Sequence, residues 1–188
     1  ESGSAPAGFT NSLKVKSLTS YTISTGEIHY VAQKVEGYNI SDLGWGTSSA
    51  KTVTLSFWVK SSNTGTGGGS IVNSANDYYY PFNYTINAAN TWEQKTITIA
   101  GPTAGTWKAD YNTGLAVNFA LATGSSYTGT AGAWTSSANI FGATGQFNFL
   151  GTITDSFLRT FAFAAAFTFA IIYIFFAITN KDLNAQNF

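Results

Sequence analysis

The chain has 188 residues and no net formal charge, nine lysines and arginines balancing nine aspartates and glutamates. Charged residues make up 10% of it, against about 25% in an ordinary soluble domain. That leaves no basic patch for phosphate and excludes nucleic acid as a partner. Apolar residues at 44% and aromatics at 16% supply the core that a disordered chain lacks. With no cysteine there is no disulfide framework, thiolate metal site or Cys nucleophile, a composition that fits an extracellular particle or surface protein. The length corresponds to one domain, or one domain with an appendage.

The opening ESGSAPAG has neither a basic nor an apolar region, so no intact signal peptide is expected there. Short strands are then predicted at 13–16, 21–23 and 28–35. Residues 52–60, TVTLSFWVK, alternate strictly, with Val53, Leu55, Phe57 and Val59 on one face and Trp58 among the polar residues on the other. The next stretch, SSNTGTGGGS at 61–70, reads as a flexible surface turn; its glycines lack the lysine and helix of a phosphate-binding loop. Strands are predicted again at 70–73, 82–86 and 91–100, the last rich in β-branched residues. The pattern of 52–60 returns at Leu115, Val117, Phe119 and Leu121, and a short strand is predicted near 147–150. Gly, Ser and Asn clusters at 100–106 and 123–132 punctuate the series, and no helical period intervenes. The expected fold class is therefore all-β, an antiparallel β-sandwich of the jelly-roll kind over residues 1–155.

From residue 156 the composition changes. Residues 160–178 carry no charge, and as a helix this stretch would span roughly 28 Å, close to a bilayer's hydrocarbon core. Its flanking Arg159 and Lys181 give no orientation. Three readings are open for 156–188: a membrane helix; a buried or inter-subunit segment, including a strand with Phe161, Phe163, Phe167 and Phe169 turned inward; or a change of reading frame.

Chemistry is sparse. The carboxylates are scattered singly, with no pair at a spacing that alternation would bring together as a hydrolase needs. His29 is the single imidazole and reads as a packed strand residue. No His/Asp/Glu cluster suits a transition metal. The one cofactor left open is a structural calcium ion, for which Asp42, Asp77 and Asp110 stand in turn-like contexts. Asn39 and Asn83 begin glycosylation-like triplets that also arise by chance.

The informative set is aromatic. Trp45, Trp107 and Trp134, with Tyr78, Tyr79 and Tyr80, fall at loops or strand ends among Asn, Ser and Thr. Exposed rings stack on the apolar faces of sugars while polar neighbours bind the hydroxyls. The same rings can instead plug the ends of a sandwich or pack between subunits. Tyr78, Tyr79 and Tyr80 are expected to be the exposed cluster, because three consecutive strand residues cannot all point inward.

Three stretches carry a resemblance: EGYNISDLGWGTSSAKTVTLSFWVKSS, YPFNYTINAANTWEQKTITIAGPTAGTW and GLAVNFALATGSSYTGTAGAW. In this order they resemble a jelly-roll domain of structural proteins of tailed phages, most familiar from marine and cyanobacterial phages. The resemblance spans residue 36 to about 151. It implies a carbohydrate-binding-module-like sandwich on a virion surface, as in tail fibres or decoration proteins. The implied partners are further copies of itself, taken as a trimer, other virion proteins and host surface polysaccharide. The chain departs from the group after Gly151-Thr152, where a strand like ATFYITGVQLE is replaced by ITDSFLRTFAFAAAF. The function expected is non-enzymatic: particle decoration, host glycan attachment, or both. The alternative is an extracellular carbohydrate-binding module held by a C-terminal membrane anchor.

Overall fold

The structure, a computed structural model, describes residues 5–17, 19–151, 160–169 and 172–175. Eleven strands form within them: β1 (Leu13–Lys16), β2 (Ile28–Glu36), β3 (Val53–Ser61), β4 (Gly65–Asn73), β5 (Tyr79–Ile86), β6 (Glu93–Ile99), β7 (Thr113–Thr123), β8 (Thr128–Gly129), β9 (Gly142–Ala143), β10 (Thr160–Phe169) and β11 (Ile172–Phe175). One sheet runs β1-β10-β3-β6, with β11 also pairing β10; the facing sheet runs β2-β7-β4-β5. All pairings in these two sheets are antiparallel. If β1 to β7 and β10 are counted as eight strands, the orders are 1-8-3-6 and 2-7-4-5. This is the double Greek key of a jelly roll.

The first sheet follows the alternation in its sequence. Along β3, buried and half-buried residues alternate without a break, and Val53, Leu55, Phe57 and Val59 enter the core. Leu115, Val117, Phe119 and Leu121 of β7 meet them from the opposite layer. Phe57 packs edge-on against Phe119 and Tyr84, at 5.0 and 4.9 Å between centroids. Burying each such ring or aliphatic chain contributes about 1.5–3 kcal/mol.

The second sheet is covered on both sides. The chain from β8 to about residue 146 lies over its outer face, where a Cβ at Gly68 would meet Ala143 and Gln146, and then enters the main core at Phe149, donating Phe147 N to Thr66 O at 2.7 Å and Phe149 N to Leu121 O at 2.8 Å. Beneath this roof Val72, Tyr79 and Ile140 make a second small core, and Asn118 donates to Ser70 across a buried pair at 3.1 Å. The segment near 147–150 is therefore a hydrogen-bonded turn rather than a strand. Residues 21–23 are not a strand either: Tyr21 N bonds Leu150 O instead of a ladder partner.

The glycine-rich stretch is the largest departure from the sequence reading. Residues 65–70 belong to β4, paired to β5 and β7, and Gly67 to Gly69 are buried. Gly67 pairs with Tyr84 and Gly69 with Phe82. A Cβ at 67 would lie 2.5 Å from Tyr84 Cε2, and one at 69 would lie 2.5 Å from Phe82 Cζ. The rings of β5 fold over side-chain-free backbone of β4, which glycine alone permits. The glycines thus make room for rings and do not loosen a turn.

The apolar tail resolves against a helix where it is described. Residues 160–169 and 172–175 are strands, and β10 fills the slot between β1 and β3. Alternation of Phe with small residues suits a strand, and without β10 the inner edge of β3 would have an unpaired ladder. The inward turn expected of Phe161, Phe163, Phe167 and Phe169 concerns side chains outside the described residues. Among the described residues no helix is long and apolar enough to cross a membrane.

Candidate functional site: an aromatic cluster at one end of the sandwich

Alternate connections of an antiparallel sandwich emerge at the same end. Here these are the β2–β3 connection (37–52), the β4–β5 turn (74–78) and the β6–β7 connection (100–112). Gly46 N donates to Pro102 O at 2.8 Å and Thr106 N to the Asp77 carboxylate at 3.2 Å, tying the three together. The roof segment joins them through the indole of Trp134, whose Nε1 donates to Ala100 O at 2.7 Å.

Five of the six expected site residues meet here. Trp134 is the hub, with ring centroids 5.5 Å from Trp45, 5.6 Å from Trp107, 5.7 Å from Tyr78 and 5.2 Å from Tyr80. Trp45 and Trp107 also meet edge-to-face at 4.8 Å. Tyr78 stacks nearly parallel on Trp134, the planes 10° apart. The other indole N–H groups are engaged as well, Trp45 Nε1 on Lys51 O at 2.8 Å and Trp107 Nε1 on Ala104 O at 3.0 Å. Each aromatic pair adds about 0.5–1.5 kcal/mol beyond its buried area, so the cluster is a stiff plug.

The exposed tyrosine trio expected from the sequence is not found. Tyr79 is 1% and Tyr80 7% exposed, and Tyr78 is half-buried. Consecutive residues do point to opposite faces, but both faces of β5 are covered. Tyr80 turns into the main core, while Tyr79 lies under the roof with Val72 and Ile140, its hydroxyl donating to Asn76 O at 3.1 Å. Tyr79 therefore stands apart from the cluster. Trp45 is also buried, at 6% exposure, so the surface of the plug belongs to the half-buried Trp107, Trp134 and Tyr78.

A polar brace borders these rings, one that no sequence signal announces beyond a turn-like Asp77. Asn73, buried at the end of β4, accepts from Asp77 N and Tyr78 N through Oδ1, at 3.0 and 3.2 Å. Its Nδ2 donates to Thr106 O at 3.0 Å and to the Asp77 carboxylate. Thr106 donates to that carboxylate from Oγ1 at 2.8 Å and from N at 3.2 Å. The hydrogen bond from Asn73, with those from Thr106, holds the Asp77 carboxyl below its ordinary pKa.

The remaining candidates are separate. Asp110 accepts from Asn112 N and Nδ2 at 2.9 and 3.1 Å, and Asp42 lies 3.9 Å from Lys51 on the open surface. His29 packs edge-on against Tyr21 at 5.2 Å between centroids. Among the described residues no three His, Cys, Asp or Glu side chains gather into a metal-binding group. Compared with known proteins, the chain matches no family model, no curated relative and no solved structure.

Proposed function

We propose that the chain is a non-enzymatic structural protein of a phage virion, a surface jelly-roll module that decorates the particle, attaches to host glycan, or does both. In this reading it acts without a cofactor, as a homo-oligomer (a trimer) beside other virion proteins. The virion setting rests on the three sequence stretches that resemble tail-fibre and decoration domains. The observation that carries the binding part is the stacking of Tyr78 on Trp134 within a braced aromatic end. With every indole N–H of the cluster already bonded to backbone, ring faces are what remains to offer a ligand, and sugars are recognised by ring faces.

Two measurements on the full chain test this. Light scattering is expected to give the mass of a trimer. Incubation with a panel of bacterial surface polysaccharides is expected to show retention without release of reducing ends. Release of reducing ends by the purified protein would replace the structural reading with an enzymatic one.

A further inference from the structure

Beside the plug, the same end carries the two most exposed large hydrophobic side chains described, Tyr38 at 60% and Tyr111 at 76%. They come from different connections, yet the backbone holds them together. Tyr38 N donates to Asp110 O at 2.9 Å, the carbonyl of the peptide bond leading into Tyr111, and Gly37 N donates to Asn112 O at 2.8 Å. The approach is close enough that a Cβ at Gly37 would lie 2.5 Å from Lys108 O. Asp110 and Asn112 lock the second loop through their own hydrogen bonds. Two large rings are thus kept in water on a fixed base, flanked by carboxylate, amide and hydroxyl groups of Asp110, Asn112 and Ser41.

Holding a ring exposed on a rigid loop lowers the ordering cost of a later contact. Tyrosine fits a partner that is apolar on its face and polar at its edge. The charge of this end narrows that partner. Glu36, Asp42, Asp77 and Asp110 stand against Lys51 and Lys108, four carboxylates to two ammonium groups, a formal charge of −2. A polyanion would be repelled and a neutral polymer would not.

We infer that Tyr38 and Tyr111 form a stacking subsite for a neutral glycan chain. This rests on the glycan-attachment reading above and names the residues and ligand class for it. The test is native electrophoresis of the full chain through gels containing dextran, yeast mannan or galactomannan as neutral polymers, or alginate as the acidic one. At least one neutral gel is expected to retard the protein and alginate is not. Tyr38→Ala combined with Tyr111→Ala should weaken that retardation roughly tenfold or more. Tyr30→Ala, which removes an exposed ring on β2, should leave it unchanged. Both tyrosines of the pair are surface residues, so an unchanged melting temperature verifies the fold of the double variant. A wild type that is retarded as strongly as the double variant overturns this subsite and leaves glycan attachment standing. Retardation by alginate alone overturns the neutral-ligand assignment, and free migration in every gel overturns the subsite together with the attachment reading.

Discussion

Tyr84 lies across Gly67, its ring occupying the volume that a side chain at 67 would need. The two are paired on β5 and β4, and a Cβ on the glycine would come within 2.5 Å of Cε2. The ring cannot retreat, because Phe57 meets it edge-on at 4.9 Å. Gly67→Ala is therefore expected to destabilise the sandwich by roughly 2–3 kcal/mol through overpacking. Gly26→Ala is the control, since nothing lies within 4 Å of a Cβ there; it should change stability by less than about 0.5 kcal/mol. Urea denaturation of both variants checks this, and equal midpoints would mean that the ring and the strand move apart freely.

The same tyrosine hides an unmet polar group. Its hydroxyl is buried and has no hydrogen-bond partner among the described residues, and burial pushes its pKa up. A hydroxyl taken from water without a partner costs stability, whereas a phenylalanine at this site keeps the packing and removes the cost. Tyr84→Phe should be neutral or stabilising by about 1 kcal/mol. A loss of stability in the same denaturation experiment would reveal a partner for this hydroxyl.

Trp134 links the roof segment to three connections, so its removal should be felt well beyond one side chain. Trp134→Ala is expected to cost about 2–3 kcal/mol, less than the loss of a fully buried ring because Trp134 is half-buried. It should also flatten the near-ultraviolet circular dichroism that coupled aromatic rings produce. Trp134→Phe keeps part of the stacking on Tyr78 and should recover part of both. If the alanine variant melts like the wild type, the cluster is not a structural plug.

The legibility of this fold varies with what the side chains reveal. In β3, Val53, Leu55, Phe57 and Val59 alternate with polar residues because one face meets water, and the strand can be read directly. In β4 the sequence GTGGGS has no side chains to alternate; its strand character resides in Tyr84 and Phe82 on the neighbouring strand, which no local pattern at 65–70 can show. The trio Tyr78, Tyr79 and Tyr80 misleads for a related reason, since the roof that buries Tyr79, through Ile140, comes from a distant part of the chain. For the site, residue type identified the right rings. That Trp45, Tyr78, Trp107 and Trp134 converge depends on the crossing order of the strands, which brings distant connections to one end. The Asn73 brace left no trace, because an asparagine that caps a turn looks like any other turn asparagine.

Acid should probe the opposite end, where Glu93 organises the β5–β6 turn. Burial raises the pKa of its carboxyl, but hydrogen bonds from Lys95, from the Ala88 and Asn87 amides and from the Asn87 side chain outweigh this and hold it at about 2, against an ordinary 4.5. Lys95 Nζ is 2.7 Å from Oε2, Asn87 Nδ2 is 2.8 Å from the same oxygen, and both amides are 2.9 Å from Oε1. A carboxylate whose folded pKa lies below its unfolded one stabilises the fold fully above the unfolded value. That stabilisation is lost as the pH falls from about 4.5 towards 2. Glu93→Gln removes the charge at every pH. Calorimetry should therefore find the wild type melting several degrees above the variant at pH 7, since each kcal/mol moves the midpoint by about 2–4 °C in a domain of this size. The gap should narrow below pH 4.5 and nearly close by pH 2, although Asp77 and Asp110, both also held below their ordinary values, lower the two midpoints together. A gap that stays constant from pH 7 to pH 2 would show that the carboxylate charge contributes nothing to the turn.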